Sequence, residues 1–117
     1  MPNDLEIYRQ TLLDLYLRLP DTSCRVSRHD GRLAHQLWER HIPLTTVEAA
    51  FLLASVRRAA RPPDAIPLEP IRSLHYFLPV IEELRRTPLH HGDAYLAYLR
   101  SKVPLRPEPD RPTSAAR

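Results

Sequence analysis

Glycine, cysteine and long apolar runs are scarce in this sequence, and each scarcity excludes a class of protein. Only two glycines occur among 117 residues, so neither a phosphate-binding Walker loop nor a dinucleotide fingerprint can be built. The single cysteine cannot form an intramolecular disulfide, which fits a reducing compartment. The longest apolar run, residues 49–54, is far shorter than the roughly 20 residues that cross a bilayer. The N-terminus lacks the pattern of a secretory signal, so we expect a cytoplasmic protein without membrane contact.

Patterns of catalytic and metal-binding residues are also missing. Cys24 could be paired on paper with any of six histidines, so the sequence specifies no reactive thiol and base. The spacings typical of zinc sites do not occur. We therefore expect no enzymatic activity, no cofactor and no metal. The permitted zinc ligands that lack such a spacing are Cys24, His29, His90 and His91.

The composition that remains is that of an ordinary globular domain. Hydrophobic residues make up 43% of the chain and charged residues 26%, and the length fits one domain. Thirteen prolines fall mainly between segments with helical apolar spacing, where they end helices. We predict an all-α, compact, single-domain bundle of about five helices over residues 1–103. The Pro-rich tail, residues 104–117, has too few apolar residues to offset its ordering entropy and is predicted to be disordered.

Apolar spacing and helix-end signals predict where the helices lie. Thr45 and Glu48 have the form of a capping box that opens the third helix. Pro70 is suited to the first position of a fourth helix. Pro79 interrupts that helix, which predicts either a kink near His75 or two abutting helices. The other predicted helices are residues 4–19, 29–41, 46–60 and 93–103.

Basic side chains cluster at the start of the second predicted helix and at the end of the third. In the first cluster, Arg28 and Arg32 lie one helical turn apart and form a stripe that can follow a phosphate backbone. The second cluster also suits the negative end of a helix dipole without any ligand. Residues 32–58 have the order of a helix-turn-helix, in which the threonines at the turn are candidates for DNA contacts. The predicted nucleic-acid-binding residues are Arg25, Arg28, Arg32, Thr45, Thr46, Arg57, Arg58 and Arg61.

Two segments together resemble a known family. HIPLTTVEAAFLLASVRRAA and the later IRSLHYFLPVIEELRR are similar to the helical domain of DnaD-like primosomal and phage replication proteins, over the middle of the chain. The terminal tryptophan of the family is missing, and Pro79 breaks a helix that the family keeps continuous. The resemblance implies a DNA-binding, protein-recruiting role in bacterial replication or on a mobile element, and it assigns no functional residue. The matching positions are Ile42, Pro43, Leu44, Val47, Ala50, Tyr76, Phe77, Val80, Ile81 and Leu84.

Two functions from different classes are therefore open. The first is a non-enzymatic, DNA-associated accessory protein that uses the arginine clusters for phosphate contacts. The second is a protein-interaction module, an adaptor or regulatory subunit that does not bind nucleic acid. Its docking surface would be the Pro-rich tail or the aromatic residues Trp38, Tyr95 and Tyr98. The sequence does not specify the oligomeric state.

Overall fold

The computed structural model describes residues 3–23, 25–87 and 93–107. Within these ranges the regular structure is helical, apart from one isolated β-bridge between Thr22 and Ile71. The predicted all-α class with five α-helices is therefore confirmed. No helix in the described ranges is long and apolar enough to cross a membrane. The elements are α1 (Asp4–Arg18), α2 (Arg28–Glu39), α3 (Leu44–Ala59), a 3₁₀ helix (Leu74–Phe77), α4 (Leu78–Arg85) and α5 (Asp93–Lys102).

Both ends of α2 are closed by local hydrogen bonds. Ser27 caps its start through a capping box in which Ser27 and Asp30 each accept a hydrogen bond from the other's backbone N–H. At its other end His41 takes a left-handed conformation with φ of 60°. The Ile42 N–H then donates to the Leu37 carbonyl at 3.1 Å, as in a Schellman motif. The helix that carries the first arginine cluster is therefore fixed at both ends.

The core is built around α3, which packs against α1, α4 and α5. Phe51 of α3 lies 4.8 Å from Phe77, ring centre to ring centre, and Tyr16 of α1 lies 6.1 Å from the same Phe77 ring. All three side chains are fully buried. Aromatic pairs at these distances add to the stabilisation by apolar burial. The apolar run in this helix is thus a core segment.

The predicted capping box at the start of α3 is wrong. The helix begins at Leu44, its N-cap is Pro43, and no side chain caps it. Glu48 instead accepts two hydrogen bonds from Arg100 of α5, at 2.7 and 2.8 Å. Proline has no side-chain acceptor with which to cap a helix, and Pro43 contributes only its carbonyl, which accepts from Val47 N–H at 3.2 Å. The carboxylate of Glu48 therefore links two helices rather than closing one.

The predicted fourth helix begins later than Pro70. Ile71 is buried and extended: its N–H donates to the Asp21 carbonyl at 2.7 Å, and its own carbonyl accepts from Ser23 N–H at 3.0 Å. These long-range bonds hold the chain extended up to residue 73. The 3₁₀ helix then runs directly into α4, with Pro79 in the first turn, where proline is tolerated. Of the two predicted arrangements, the structure has abutting helices.

The Pro-rich tail does not begin at residue 104. Val103 is buried and Leu105 is half-buried against the core. Arg106 and Arg18 exchange hydrogen bonds: Arg106 N–H donates to the Arg18 carbonyl at 2.7 Å, and Arg18 Nε donates to the Arg106 carbonyl at 2.8 Å. Residues 104–107 are therefore ordered on the end of α1. The rest of the predicted tail, residues 108–117, lies outside the described residues.

Candidate nucleic-acid interface

The two predicted arginine clusters have different surroundings in the fold. In the α3 cluster, Arg57 donates to both carboxylate oxygens of Glu83 of α4, at 2.9 and 2.6 Å. This bidentate pair raises the pKa of Arg57 above its ordinary value, chiefly through the hydrogen bonds to Glu83. The guanidinium of Arg57 is therefore occupied by the protein itself, and it links α3 to α4.

Arg58 is occupied even more completely. Its side chain is only 8% exposed, and its Nε lies 2.9 Å from an Asp21 carboxylate oxygen. It also donates to the Glu69 carbonyl at 2.8 Å and to the Tyr76 hydroxyl at 3.2 Å. The guanidinium carbon lies 5.5 Å from the centre of the Tyr76 ring. Because each of its three nitrogens donates a hydrogen bond within the fold, Arg58 is a structural cation.

The remaining predicted residues near α3 are divided between surface and core. Thr46 is buried in the first turn of the helix, whereas Thr45 beside it is exposed. Arg61 is partly exposed beyond the end of the helix. Because α3 is surrounded by three other helices, its body cannot enter a DNA groove. Arg61 and Thr45 stay as candidate contacts at its two ends.

The α2 cluster, in contrast, faces solvent. Arg25, Arg28 and Arg32 are exposed. Among the described residues, no hydrogen bond or ion pair holds any of these three guanidinium groups. Three donor groups with permanent positive charge are therefore available to an anion.

Arg28 and Arg32 border a surface groove between α1 and α2, with a volume of about 350 Å³. We call this feature the basic groove. Arg9 reaches it from α1 while donating to Glu6 at 2.8 Å, and the His35 ring nitrogen lies 3.4 Å from a Glu39 oxygen. The residues that line the basic groove are Arg9, Leu13, Arg28, Gly31, Arg32 and His35.

Helical spacing explains why these residues meet. Positions 28, 32 and 35 follow one another at four and three residues along α2, and positions 9 and 13 at four residues along α1, so each set shares one helix face. Arg28 and Arg32 are separated by about 6 Å along the helix axis. Gly31 lies between them without a side chain. The sequence predicted the stripe on α2, but it gave no signal that Arg9 of the first helix would join it.

The basic groove suits a phosphate backbone better than a base. The described lining contains no aromatic ring on which a base could stack, and Leu13 is its only large apolar side chain. Arginine binds phosphate through paired N–H donors in a planar fork. Contacts of this kind neutralise charge without reading sequence. The site is thus chemically suited to sequence-independent binding of a polyanion.

The aromatic residues proposed for protein docking are mostly part of the packing. Trp38 is half-buried, and its ring lies 5.4 Å from that of Tyr8 in an edge-to-face arrangement. Tyr95 is half-buried against the core. Tyr98 is 56% exposed and has the Lys102 ammonium 5.5 Å from its ring centre. Trp38 and Tyr95 are therefore used in core packing, and Tyr98 is the most exposed ring of the three.

No group of three or more His, Cys, Asp or Glu side chains in the described ranges is placed to hold a metal ion. Of the possible ligands considered from the sequence, His29 is exposed at the start of α2. Cys24, His90 and His91 lie outside the described residues.

Comparison of the chain with protein-family models, with curated proteins and with solved structures gave no match. The geometry of the basic groove is therefore the basis for a functional proposal.

Proposed function

We propose that this protein is a non-enzymatic, DNA-associated accessory protein that binds the phosphate backbone in the basic groove. The observation that carries the proposal is the contrast between the two arginine clusters. Arg57 and Arg58 are held by internal carboxylates, whereas Arg28 and Arg32 border an open groove without an internal partner in the described residues. Surface arginines with no structural use, lined up at one-turn spacing, are typical of backbone contacts.

The dependence of DNA affinity on salt concentration follows from the number of arginines that contact phosphate. Binding by the three exposed arginines of the α2 cluster, two of which border the basic groove, predicts a slope of about −2.7 for the logarithm of affinity against that of salt concentration. Raising salt from about 50 to about 200 mM should then weaken binding by about 40-fold. Because the contacts read charge rather than bases, affinity should vary little with DNA sequence. The resemblance to DnaD-like proteins favours a role in replication or on a mobile element.

Fluorescence anisotropy with labelled duplex and single-stranded DNA over a salt series tests the proposal. The variant Arg28→Ala/Arg32→Ala should lose most of the affinity at low salt, and its salt slope should fall to about −1. The matched control is Arg72→Ala/Arg86→Ala, which removes the same charge from exposed positions outside the basic groove. This control should keep a slope of about −2.7.

Two results would overturn the proposal. One is wild-type affinity that does not change with salt. The other is an equal loss of affinity in both double variants, which would mean that net charge, and not the basic groove, attracts the DNA. Far-ultraviolet circular dichroism of each variant establishes that the helices are intact, which is expected because all four substituted side chains lie at least partly on the surface.

A further inference from the structure

The stretch between α3 and the 3₁₀ helix displays apolar side chains that the fold does not cover. Ile66 is 82% exposed, the highest value among the large hydrophobic residues in the described part of the chain, and Leu68 is 47% exposed. Both flank Pro67, in the sequence IPLEPIR over residues 66–72. We call these seven residues the IPLEPIR segment. Ile66, Pro67 and Leu68 line one shared surface depression, so they form a contiguous apolar surface, which is more informative than a single exposed residue.

The backbone of this segment is restricted to an extended form. Pro67 and Pro70 each have φ fixed near −65°, and the residues before them, Ile66 and Glu69, are disfavoured in the helical region. No regular secondary structure is present from 66 to 70. These restraints favour a polyproline II helix, which has three residues per turn.

The exposure pattern of the segment has this three-residue period. Positions 68 and 71 share one edge of such a helix, and this edge lies toward the protein: Ile71 is buried, and Leu68, although about half exposed, borders an open groove with Ala54 and Tyr76. The other two edges face solvent. On one of them Glu69 and Arg72 have side chains 87% and 75% exposed. The exposed prolines share the remaining edge.

The segment is also held in place at several points. Arg58 donates to the Glu69 carbonyl at 2.8 Å, and the Ile71 backbone is bonded to residues 21 and 23. Ala65 N–H closes a turn onto the Pro62 carbonyl at 3.0 Å just before the segment. A ligand already held in its bound conformation loses less entropy on association.

We propose that the IPLEPIR segment is a docking ligand for a partner protein with an aromatic-lined, polyproline-binding groove and an acidic side chain beside it. Two prolines three residues apart fit the paired apolar slots of such grooves. Arg72, two residues beyond the second proline and exposed, supplies the positive charge that an acidic neighbour would bind. This inference is independent of DNA binding, because it uses none of the groove residues between α1 and α2.

The probe is an isolated SH3 domain that has an aromatic groove and an acidic specificity pocket, titrated with the full-length protein by two-dimensional NMR. We expect saturable shifts in the groove of the SH3 domain. Pro67→Ala/Pro70→Ala should weaken binding by at least about tenfold. The matched control Pro62→Ala/Pro63→Ala removes two prolines of the same linker outside the segment and should bind like the wild type.

A second experiment tests whether binding to the SH3 domain requires the positive charge of Arg72. Arg72→Glu should weaken binding by at least about tenfold against the SH3 domain with its acidic pocket, and not against a version whose acidic side chains are replaced by lysine. Absence of shifts at millimolar protein, or equal affinity of the two double-proline variants, would overturn the proposal. So would a wild-type dimer in sedimentation that Pro67→Ala/Pro70→Ala dissociates, since the segment would then be bound by a second copy.

Discussion

An Asp30 carboxylate oxygen accepts a hydrogen bond from the Leu74 backbone N–H at 2.9 Å, and both residues are fully buried. The second Asp30 oxygen accepts from Ser27 N–H, also at 2.9 Å. One buried carboxylate thus closes the start of α2 and fixes the 3₁₀ helix against it. The helix that it fixes, α2, is the one that carries Arg28 and Arg32 of the basic groove.

Asp30→Ala should destabilise the protein by about 3 kcal/mol. The change removes the capping box, worth about 1 kcal/mol, and leaves the buried Leu74 N–H without an acceptor, which costs about 1–3 kcal/mol. Urea unfolding followed by circular dichroism measures this. Ser27→Ala is the control, because it removes only the cap and should cost about 1 kcal/mol. Equal losses in the two variants would show that the bond to Leu74 contributes nothing.

Two buried tyrosines should respond in opposite directions to loss of their hydroxyl groups. The Tyr8 hydroxyl donates to the Ile42 carbonyl at 2.7 Å, whereas the buried Tyr16 hydroxyl has no hydrogen-bond partner within the described chain. Tyr8→Phe should therefore lower the free energy of unfolding by about 1 kcal/mol. Tyr16→Phe should leave it unchanged or raise it by about 1 kcal/mol, because an unpaired buried polar group is removed. Thermal or urea unfolding of the pair measures the difference, and a loss in Tyr16→Phe as large as in Tyr8→Phe would contradict the structure.

The same tyrosines predict a loss of stability in alkali. Burial raises the pKa of Tyr8 from 10.0 to about 12, and burial followed by the negative charge of Asp30 does the same for Tyr16. Below about pH 10 both the folded and the unfolded chain keep these protons, so the stabilisation is fully present. Above it the unfolded chain releases them first, and stability falls by about 1.4 kcal/mol per pH unit for each tyrosine until about pH 12.

Urea unfolding at a series of alkaline pH values measures that decline. The double variant Tyr8→Phe/Tyr16→Phe should show a shallower slope over the same range, since phenylalanine has no proton to release. An unchanged slope in the double variant would assign the alkaline transition to other groups.

Gly31 offers a direct way to close the basic groove. A Cβ at this position meets no atom within 4 Å, so Gly31→Ala should fit and should stabilise α2 by about 1 kcal/mol through its higher helix propensity. DNA affinity should be unchanged in that variant. Gly31→Glu places a carboxylate between Arg28 and Arg32 and should reduce affinity by at least about tenfold at low salt.

Gly31→Gln separates charge from size, because glutamine has nearly the shape of glutamate without its charge. It should bind DNA more tightly than Gly31→Glu in the same anisotropy titration. If the two variants lose the same affinity, obstruction rather than charge is responsible. If neither loses affinity, DNA does not occupy the basic groove.

Local signals were sufficient to predict the helices. Apolar residues at helical spacing and prolines at helix ends gave α1, α2, α3 and α5 to within two residues at each end. The errors lie where a distant partner overrides the local signal. Glu48 looked like half of a capping box, but Arg100, 52 residues away, holds its carboxylate. Pro70 looked like a helix start, but the Asp21 carbonyl draws the next residue into an extended bridge.

The same limit applies to the candidate site. Spacing along α2 was enough to align Arg28 and Arg32, because residues of one helix face are determined by geometry alone. Nothing local distinguishes them from Arg57, whose carboxylate partner lies 26 residues away on another helix. Sequence patterns therefore locate cations, and only the fold shows which cations are already neutralised.

The reciprocal bonds between Arg18 and Arg106 have a consequence for synthesis on the ribosome. They join residues 88 positions apart, so the C-terminal end of α1 gains these contacts only after residue 106 has been synthesised. A nascent chain that stops before residue 106 can pair α1 with α2 but leaves that end of α1 open to water. This part of the fold therefore closes later than the pairing of α1 with α2.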